Sequence, residues 1–142
     1  MVSVAIFDYG AGNIFSLKNS LEQAGASVDI ITSFDKPNIY SGLLLPGVGN
    51  FDPAIKSINE NSKTKFQDFV KQDTPVLGIC LGMEMFFEKS EEGIEKGFNV
   101  IDGEIVVLPS TVKVPHMGWN NLEIKRPGVI LEGVKDDSWV YF

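Results

Sequence analysis

Short apolar runs alternate with segments of helical periodicity through the first part of the chain. Residues 2–7 form a nearly continuous apolar run, which is typical of a strand covered on both faces of a sheet. Apolar side chains then recur at helical spacing over residues 13–24, until Gly25 ends the pattern. This part of the chain is therefore predicted to form a strand, a loop and a helix.

The same unit recurs further along the chain. Strands are predicted at residues 28–31, 43–45 and 76–79, and helices around residues 54–58, 66–70 and 81–87. Strands that alternate with amphipathic helices indicate a mostly parallel sheet with helices on both faces. In such a sheet, ligands bind at the carboxyl ends of the strands.

After Gly103 the pattern changes to three short apolar segments without intervening helices, at residues 104–108, 122–124 and 139–142. Each segment has the length and composition of a strand. We expect these strands to extend one edge of the sheet in antiparallel fashion.

Length and composition favour one domain over residues 1–142. The chain has 142 residues, 44% of them hydrophobic, which is enough for one core but hardly for two. It ends inside the apolar run of residues 139–142, which we expect to be a strand that is cut short. The domain is therefore expected to be truncated at its carboxyl terminus.

The charge and the single cysteine limit the classes of partner and compartment. A formal net charge of -7 argues against nucleic acid, because binding to a phosphate backbone depends on clustered lysine and arginine. No apolar segment approaches the roughly 18 residues that cross a bilayer. The only cysteine, Cys80, cannot form an internal disulfide, which suits a reducing compartment. We expect a soluble, cytoplasmic protein that does not bind membranes or nucleic acid.

Cys80 lies in a G-x-C-x-G segment, residues 78–82, between a predicted strand and a predicted helix. Glycines on both sides of a nucleophile allow the sharp turn that exposes it above a sheet, as in the serine elbow of hydrolases. The start of the following helix favours thiolate over thiol, and the Leu81 amide is a candidate oxyanion donor. The alternative is an ordinary buried cysteine at a strand end. The flanking glycines favour the nucleophile.

A second glycine loop, residues 46–51 (Pro-Gly-Val-Gly-Asn-Phe), follows the predicted strand at residues 43–45. We expect it to lie beside the cysteine elbow and to supply a second oxyanion donor from the amide of Val48 or Gly49. Gly47 would let the backbone approach a substrate closely. The alternative is a tight strand-to-helix turn without a role in binding.

Four segments together resemble the class I glutamine amidotransferases, and within that family the glutaminase subunits of imidazole glycerol phosphate synthase. They are residues 8–13 (DYGAGN), 46–51 (PGVGNF), 78–83 (GICLGM) and 115–120 (PHMGWN). The cysteine elbow alone indicates only the superfamily, whereas the first and last segments are more specific. Their order and spacing cover nearly the whole chain.

The resemblance implies a flavodoxin-like three-layer α/β sandwich with a mostly parallel sheet and antiparallel edge strands. It implies that Cys80 attacks the side-chain amide of L-glutamine, that ammonia leaves, and that water hydrolyses the thioester. The implied partner is a cyclase subunit that receives the ammonia in histidine biosynthesis, in a heterodimer. No metal or organic cofactor is expected. The surface toward the partner would include Gly10, Asn13, His116, Trp119 and Asn120.

Two features depart from the family pattern. The catalytic histidine of the family lies in a His-Pro-Glu segment that these residues do not contain, and the single histidine, His116, lies in a different segment. We therefore expect little glutaminase activity from this chain alone; a dyad of Cys80 with His116 is the minor alternative. Glu84 stands where the family more often carries glutamine. It is a candidate substrate-binding residue, or else it faces the helix exterior or is neutralised by a lysine.

Other interpretations remain open from the sequence. The chain could be a scaffold subunit that keeps the fold without hydrolysis, or it could donate ammonia to a sugar-amidinating synthase. A related cysteine hydrolase is disfavoured because two of the four motifs would then be coincidental. Dinucleotide binding at Gly10 and Gly12 is disfavoured because Phe15 replaces the third glycine of that motif.

Overall fold

The computed structural model describes residues 2–35 and 39–142. The chain divides into two compact units, Met1–Val107 and Leu108–Phe142. The first unit holds the main sheet and its helices, and the second holds a small two-stranded sheet. The expectation of one domain over residues 1–142 stays a prediction.

A four-stranded parallel sheet forms the centre of the first unit. Its strands are β1 (Ser3–Phe7), β2 (Ser27–Ile31), β3 (Gly42–Gly47) and β4 (Val76–Cys80), in the spatial order β2-β1-β3-β4. All three pairings are parallel, so each connection must cross a face of the sheet. The predicted alternation of strands and helices is confirmed.

Four helices accompany this sheet: α1 (Ile14–Gln23), α2 (Phe51–Ser57), α3 (Glu60–Val70) and α4 (Leu81–Glu84). An asparagine caps the amino terminus of each of the two long helices, α1 and α3. The Asn13 side chain accepts the Ser16 amide at 3.1 Å at the start of α1, and the Asn59 side chain accepts the Ser62 amide at 2.8 Å at the start of α3. These caps satisfy amides that have no partner within the helix.

Strand residues alternate between two hydrophobic clusters, one on each face of the sheet. On one face, Ile6 and Leu44 pack with partly buried side chains of α1. On the other face, Phe7 and Leu45 belong to a larger cluster with side chains of α2, α3 and α4. Helices on both faces of a parallel sheet form three layers, and the predicted flavodoxin-like fold class is confirmed.

The helix after the cysteine elbow is shorter than predicted and ends at Glu84. The carbonyls of Met85 and Phe86 accept the amides of Phe98 and Val100, both at 2.8 Å, instead of continuing the helical ladder. A later segment of the chain thus competes for the backbone groups that a longer helix would use.

The segments after Gly103 differ from their predicted arrangement. Within residues 104–108 only β6 (Glu104–Ile105) is a strand, and it pairs in parallel with β5 (Lys89–Ser90). In the second unit β7 (Trp119–Asn121) pairs with β8 (Trp139–Tyr141) in antiparallel fashion. Within the described residues this pair forms its own sheet and does not extend the main one.

The prediction of a strand at residues 122–124 was wrong, because the β7 ladder has ended by then. The Leu122 amide donates to the Ser138 carbonyl at 2.9 Å. The Ile124 amide donates to the Asp136 side chain at 2.8 Å and not to backbone. A short 3-10 helix, Val129–Leu131, follows in the same unit.

Candidate functional site

Cys80 sits on a strained turn between a strand and a helix. It is the last residue of β4, and α4 begins at the next residue. Its backbone angles are φ 54° and ψ -121°, a region that residues with a side chain rarely adopt. Its side chain is exposed. A strained, exposed residue at a strand-to-helix turn is the geometry of a nucleophile elbow.

Two glycines flank Cys80 because no side chain would fit at either position. A Cβ at Gly82 would lie 1.8 Å from the Leu45 carbonyl oxygen, and a Cβ at Gly78 would lie 2.6 Å from the Met83 Cα. Both distances are far inside van der Waals contact. The G-x-C-x-G pattern is thus the consequence of how closely β3, β4 and the α4 segment approach one another.

The second glycine loop lies beside the elbow, as the sequence predicted. In the register of β3 and β4, Gly47 is the partner of Cys80. Val48 follows Gly47 and is 62% exposed, and Gly49 has a φ of 104°. The loop amides are therefore close to the strand end that carries the sulfur. The oxyanion roles of Leu81, Val48 and Gly49 stay predictions.

Tyr9 is a part of this site that the sequence analysis did not identify. A Cβ at Gly47 would lie 2.3 Å from the Tyr9 hydroxyl oxygen, which is buried and has no hydrogen-bond partner among the residues that the structure describes. Burial, and then the charge of Cys80, raise the pKa of Tyr9 to about 12. The available signal was a tyrosine at the end of a buried strand, just before the Gly10 to Asn13 turn.

Glu84 ends the short helix that begins after Cys80. Its side chain is partly buried, and its Oε2 is buried without a hydrogen-bond partner in the described residues. Burial, and then the charge of Glu92, raise the pKa of the Glu84 carboxyl above its usual range. The prediction that Glu84 contacts substrate is untested, and the alternative of a fully exposed side chain does not fit this burial.

The loop after β1 approaches the second glycine loop. A cavity of about 310 Å³ lies between the two loops. Its lining includes Tyr9, Gly10, Ala11, Val48, Gly49 and Asn50. The Asp8 carboxylate accepts the Gly10 amide at 2.9 Å, and Gly10 has a φ of 93°. Asn13 uses its side-chain oxygen to cap α1. The structure thus brings Gly10 to the loop that carries the predicted oxyanion donors.

Comparison with known proteins agrees with this geometry. The sequence model of the family Glutamine amidotransferase class-I matches residues 5–142. The chain belongs to the class I glutamine amidotransferases.

Many relatives of this amidotransferase are named imidazole glycerol phosphate synthase subunit HisH. The chain is 37% identical to that of Cyanophora paradoxa, over 99% of this chain and 67% of the relative. It is 42% identical to that of Archaeoglobus fulgidus, over 98% of this chain and 70% of the relative. It is 40% identical to that of Aquifex aeolicus, over 96% of this chain and 68% of the relative. The chain thus spans about two thirds of the length of these relatives.

The remaining predicted residues of this amidotransferase lie in the second unit, on and before the β7–β8 sheet. The Trp119 ring meets the Tyr141 ring edge-on with centroids 5.7 Å apart, and Trp119 is 68% exposed. The His116 ring meets the Phe142 ring in the same manner at 5.3 Å. Asn120 pairs with Val140 across the sheet. Their predicted role at a partner interface is untested.

Among the residues that the structure describes, no three histidine, cysteine, aspartate or glutamate side chains cluster as metal ligands do. In the same part of the chain, the helices are too short or too polar to cross a bilayer.

Proposed function

We propose that this chain is part of a subunit that hydrolyses the side-chain amide of L-glutamine through a thioester on Cys80, and that the ammonia passes to a cyclase subunit in histidine biosynthesis. Little activity of this chain alone stays a prediction. One observation carries the proposal: an exposed cysteine with a positive φ, on a glycine-flanked elbow, lies opposite a second glycine loop. Family membership and the shared name of the relatives support the same activity. The cytoplasm is the proposed location.

The first half of the reaction is acylation of Cys80. The thiolate attacks the amide carbon, a carbon–sulfur bond forms, and negative charge develops on the amide oxygen. The amides of Leu81 and of Val48 or Gly49 are the proposed donors to that oxyanion, and losing one such donor costs about 3 kcal/mol. The carbon–nitrogen bond then breaks, and the nitrogen takes up the proton that the thiol released on ionising and leaves as ammonia.

The second half of the reaction restores the free thiol. Water attacks the thioester carbon, the same donors stabilise the second oxyanion, and glutamate leaves as the carbon–sulfur bond breaks. Gly47 is the proposed point at which the substrate approaches the backbone beside Cys80. Its lack of a side chain is required in any case by the Tyr9 hydroxyl and the Gly82 amide, which lie against it. Glu84 is the proposed polar contact to the substrate from the helix after the nucleophile.

The proposed surface toward the cyclase subunit has two parts. The loop with Gly10 and Asn13 follows β1 at the end of the sheet where the thiol lies. The residues His116, Trp119 and Asn120 present exposed aromatic and polar groups in the second unit. Exposed tryptophan is among the commonest anchors of protein interfaces.

A glutamine-analogue electrophile tests the proposal directly. We expect a diazoketone analogue of glutamine to label Cys80, and free L-glutamine but not L-asparagine to slow the labelling. Cys80→Ser is the control that must abolish it. Equal labelling in the presence and absence of L-glutamine would contradict a glutamine pocket. If, in addition, the assembled subunit with its cyclase partner releases no glutamate from glutamine, the scaffold interpretation replaces the enzyme.

A further inference from the structure

The Tyr9 hydroxyl is a buried polar group without a hydrogen-bond partner in the described residues. The side chain is 9% exposed, and its oxygen is closed off from solvent. Buried hydroxyls are nearly always paired, because desolvation without a partner costs free energy that a phenylalanine in the same place would not incur. A tyrosine here therefore fits best with an acceptor that forms during function.

The position of this hydroxyl identifies that partner. The Tyr9 oxygen lies against Gly47, so closely that a Cβ on Gly47 would be 2.3 Å away. Gly47 is the register partner of Cys80, and neighbouring strands are about 4.8 Å apart. The Gly82 amide, 2.8 Å from the same Cβ position, lies on the same side of the loop. The hydroxyl is thus buried beneath the elbow, at the strand ends where the sulfur lies.

We propose that Tyr9 is a positioning residue of the glutaminase site. Its hydroxyl donates a hydrogen bond to the negatively charged sulfur of Cys80. This inference rests on the proposed function. A hydroxyl that has no other acceptor can turn its hydrogen toward the charge as soon as the thiol ionises. Hydrogen bonds to an ionised group are about twice as strong as neutral ones. The bond would hold the sulfur in one orientation above the turn before glutamine binds.

Tyr9 is suited to donate a hydrogen bond and to retain its proton. Burial raises its pKa to about 12, so it keeps its hydrogen at neutral pH. Cys80 is the ionisable group whose charge acts on Tyr9. The pKa of the Glu84 carboxyl, in the helix after the elbow, is raised by burial and then by the charge of Glu92, not by Tyr9. The Asp8 carboxylate, next to Tyr9 in the chain, is occupied by the Gly10 amide at 2.9 Å.

The test compares Tyr9→Phe with the control Tyr40→Phe. The control also loses one hydroxyl, which in the folded chain donates a hydrogen bond to the Asp29 carboxylate at 3.1 Å. We expect Tyr9→Phe to slow alkylation of Cys80 by iodoacetamide about tenfold at neutral pH. The ultraviolet absorbance of the thiolate should appear at higher pH in the same variant. Tyr40→Phe should leave both unchanged. If Tyr9→Phe and the parent have the same alkylation rate and the same pH profile of thiolate absorbance, the proposal is overturned.

A second measurement needs no substitution at Tyr9 and so does not depend on how well the variant folds. Alkylation of Cys80 in the parent removes the negative charge, and we expect tyrosine ionisation, followed by absorbance, to move to lower pH. An unchanged titration would overturn the proposal. Neither measurement uses glutamine: failure of the glutamine-analogue labelling removes the proposed function alone, whereas labelling without a Tyr9 effect removes this inference alone.

Discussion

Gly47 lies opposite Cys80 in the register of the two parallel strands that end at the candidate site. The pairing requires a glycine, because a Cβ on Gly47 would collide with the Tyr9 hydroxyl and the Gly82 amide at 2.3 and 2.8 Å. Two strand ends and the start of a helix thereby meet at the elbow that carries Cys80. The predictions below follow from the strain and the contacts of this arrangement.

The backbone of Cys80 stores strain that glycine would not have. Its φ of 54° and ψ of -121° cost a residue with a side chain about 1–3 kcal/mol, part of which is offset by the larger entropy of an unfolded glycine. We predict that Cys80→Gly is more stable than Cys80→Ala by about 1 kcal/mol. Urea unfolding of the two variants measures the difference. Equal stability would show that the turn is not strained.

The close approach at Gly82 predicts a large effect from a single methyl group. A Cβ there would lie 1.8 Å from the Leu45 carbonyl oxygen, whereas at Gly42 the nearest atom is the Pro75 carbonyl oxygen at 3.4 Å. We expect Gly82→Ala to lower the free energy of unfolding by about 1–3 kcal/mol or more. Gly42→Ala is the matched control, with an expected change below about 1 kcal/mol. Similar unfolding midpoints for both variants would contradict the packing described at the elbow.

The Glu84 carboxyl predicts a pH dependence of stability. Burial and then Glu92 raise its pKa in the folded chain above the usual value of 4.5. The folded state therefore holds this proton more tightly than the unfolded state, and the stabilisation that it gives below pH 4.5 is lost as the pH rises through the raised value. We expect Glu84→Gln to lose stability less steeply over this range and to exceed the parent in stability at neutral pH.

Urea midpoints at several pH values measure that dependence. Glu22→Gln is the control, since Glu22 forms a largely exposed pair with Lys18 at 3.7 Å and should follow the parent. If the urea midpoint of Glu84→Gln changes with pH in parallel with that of the parent, Glu84 is not the source of the pH dependence. In the assembled synthase the same substitution should lower the KM for glutamine, because a neutral amide does not repel the carboxylate of the substrate. An unchanged KM would separate Glu84 from substrate binding.

The exposed Trp119 predicts an energetic anchor for the partner subunit. Its ring packs edge-on against Tyr141 at 5.7 Å and leaves 68% of the residue open. We expect Trp119→Ala to weaken binding of the cyclase subunit about tenfold or more in calorimetric titration. Val129→Ala, at a site that is 90% exposed in the 3-10 helix, is the control. Equal affinity of the two variants would remove Trp119 from the interface.

Much of the main sheet could be predicted from local pattern. The strands at residues 28–31 and 76–79 were each predicted within one residue of β2 and β4, because each is a short apolar run bounded by turn-forming residues. Competition between distant segments for backbone hydrogen bonds leaves no comparable pattern in the sequence. The early end of α4 depends on amides of Phe98 and Val100, which are distant in sequence. The end of β7 depends likewise on the Asp136 side chain.

The sequence by itself determined the α/β fold class, the parallel sheet and the cysteine on its glycine elbow, since these follow from periodicity and from residues that only one kind of turn accommodates. Only the tertiary structure decided that Gly47 faces Cys80, that Glu84 is partly buried, and that the Tyr9 hydroxyl is buried at the elbow. The physical reason is that strand register and burial are set by packing between distant segments. A pattern of neighbouring residues does not contain that information.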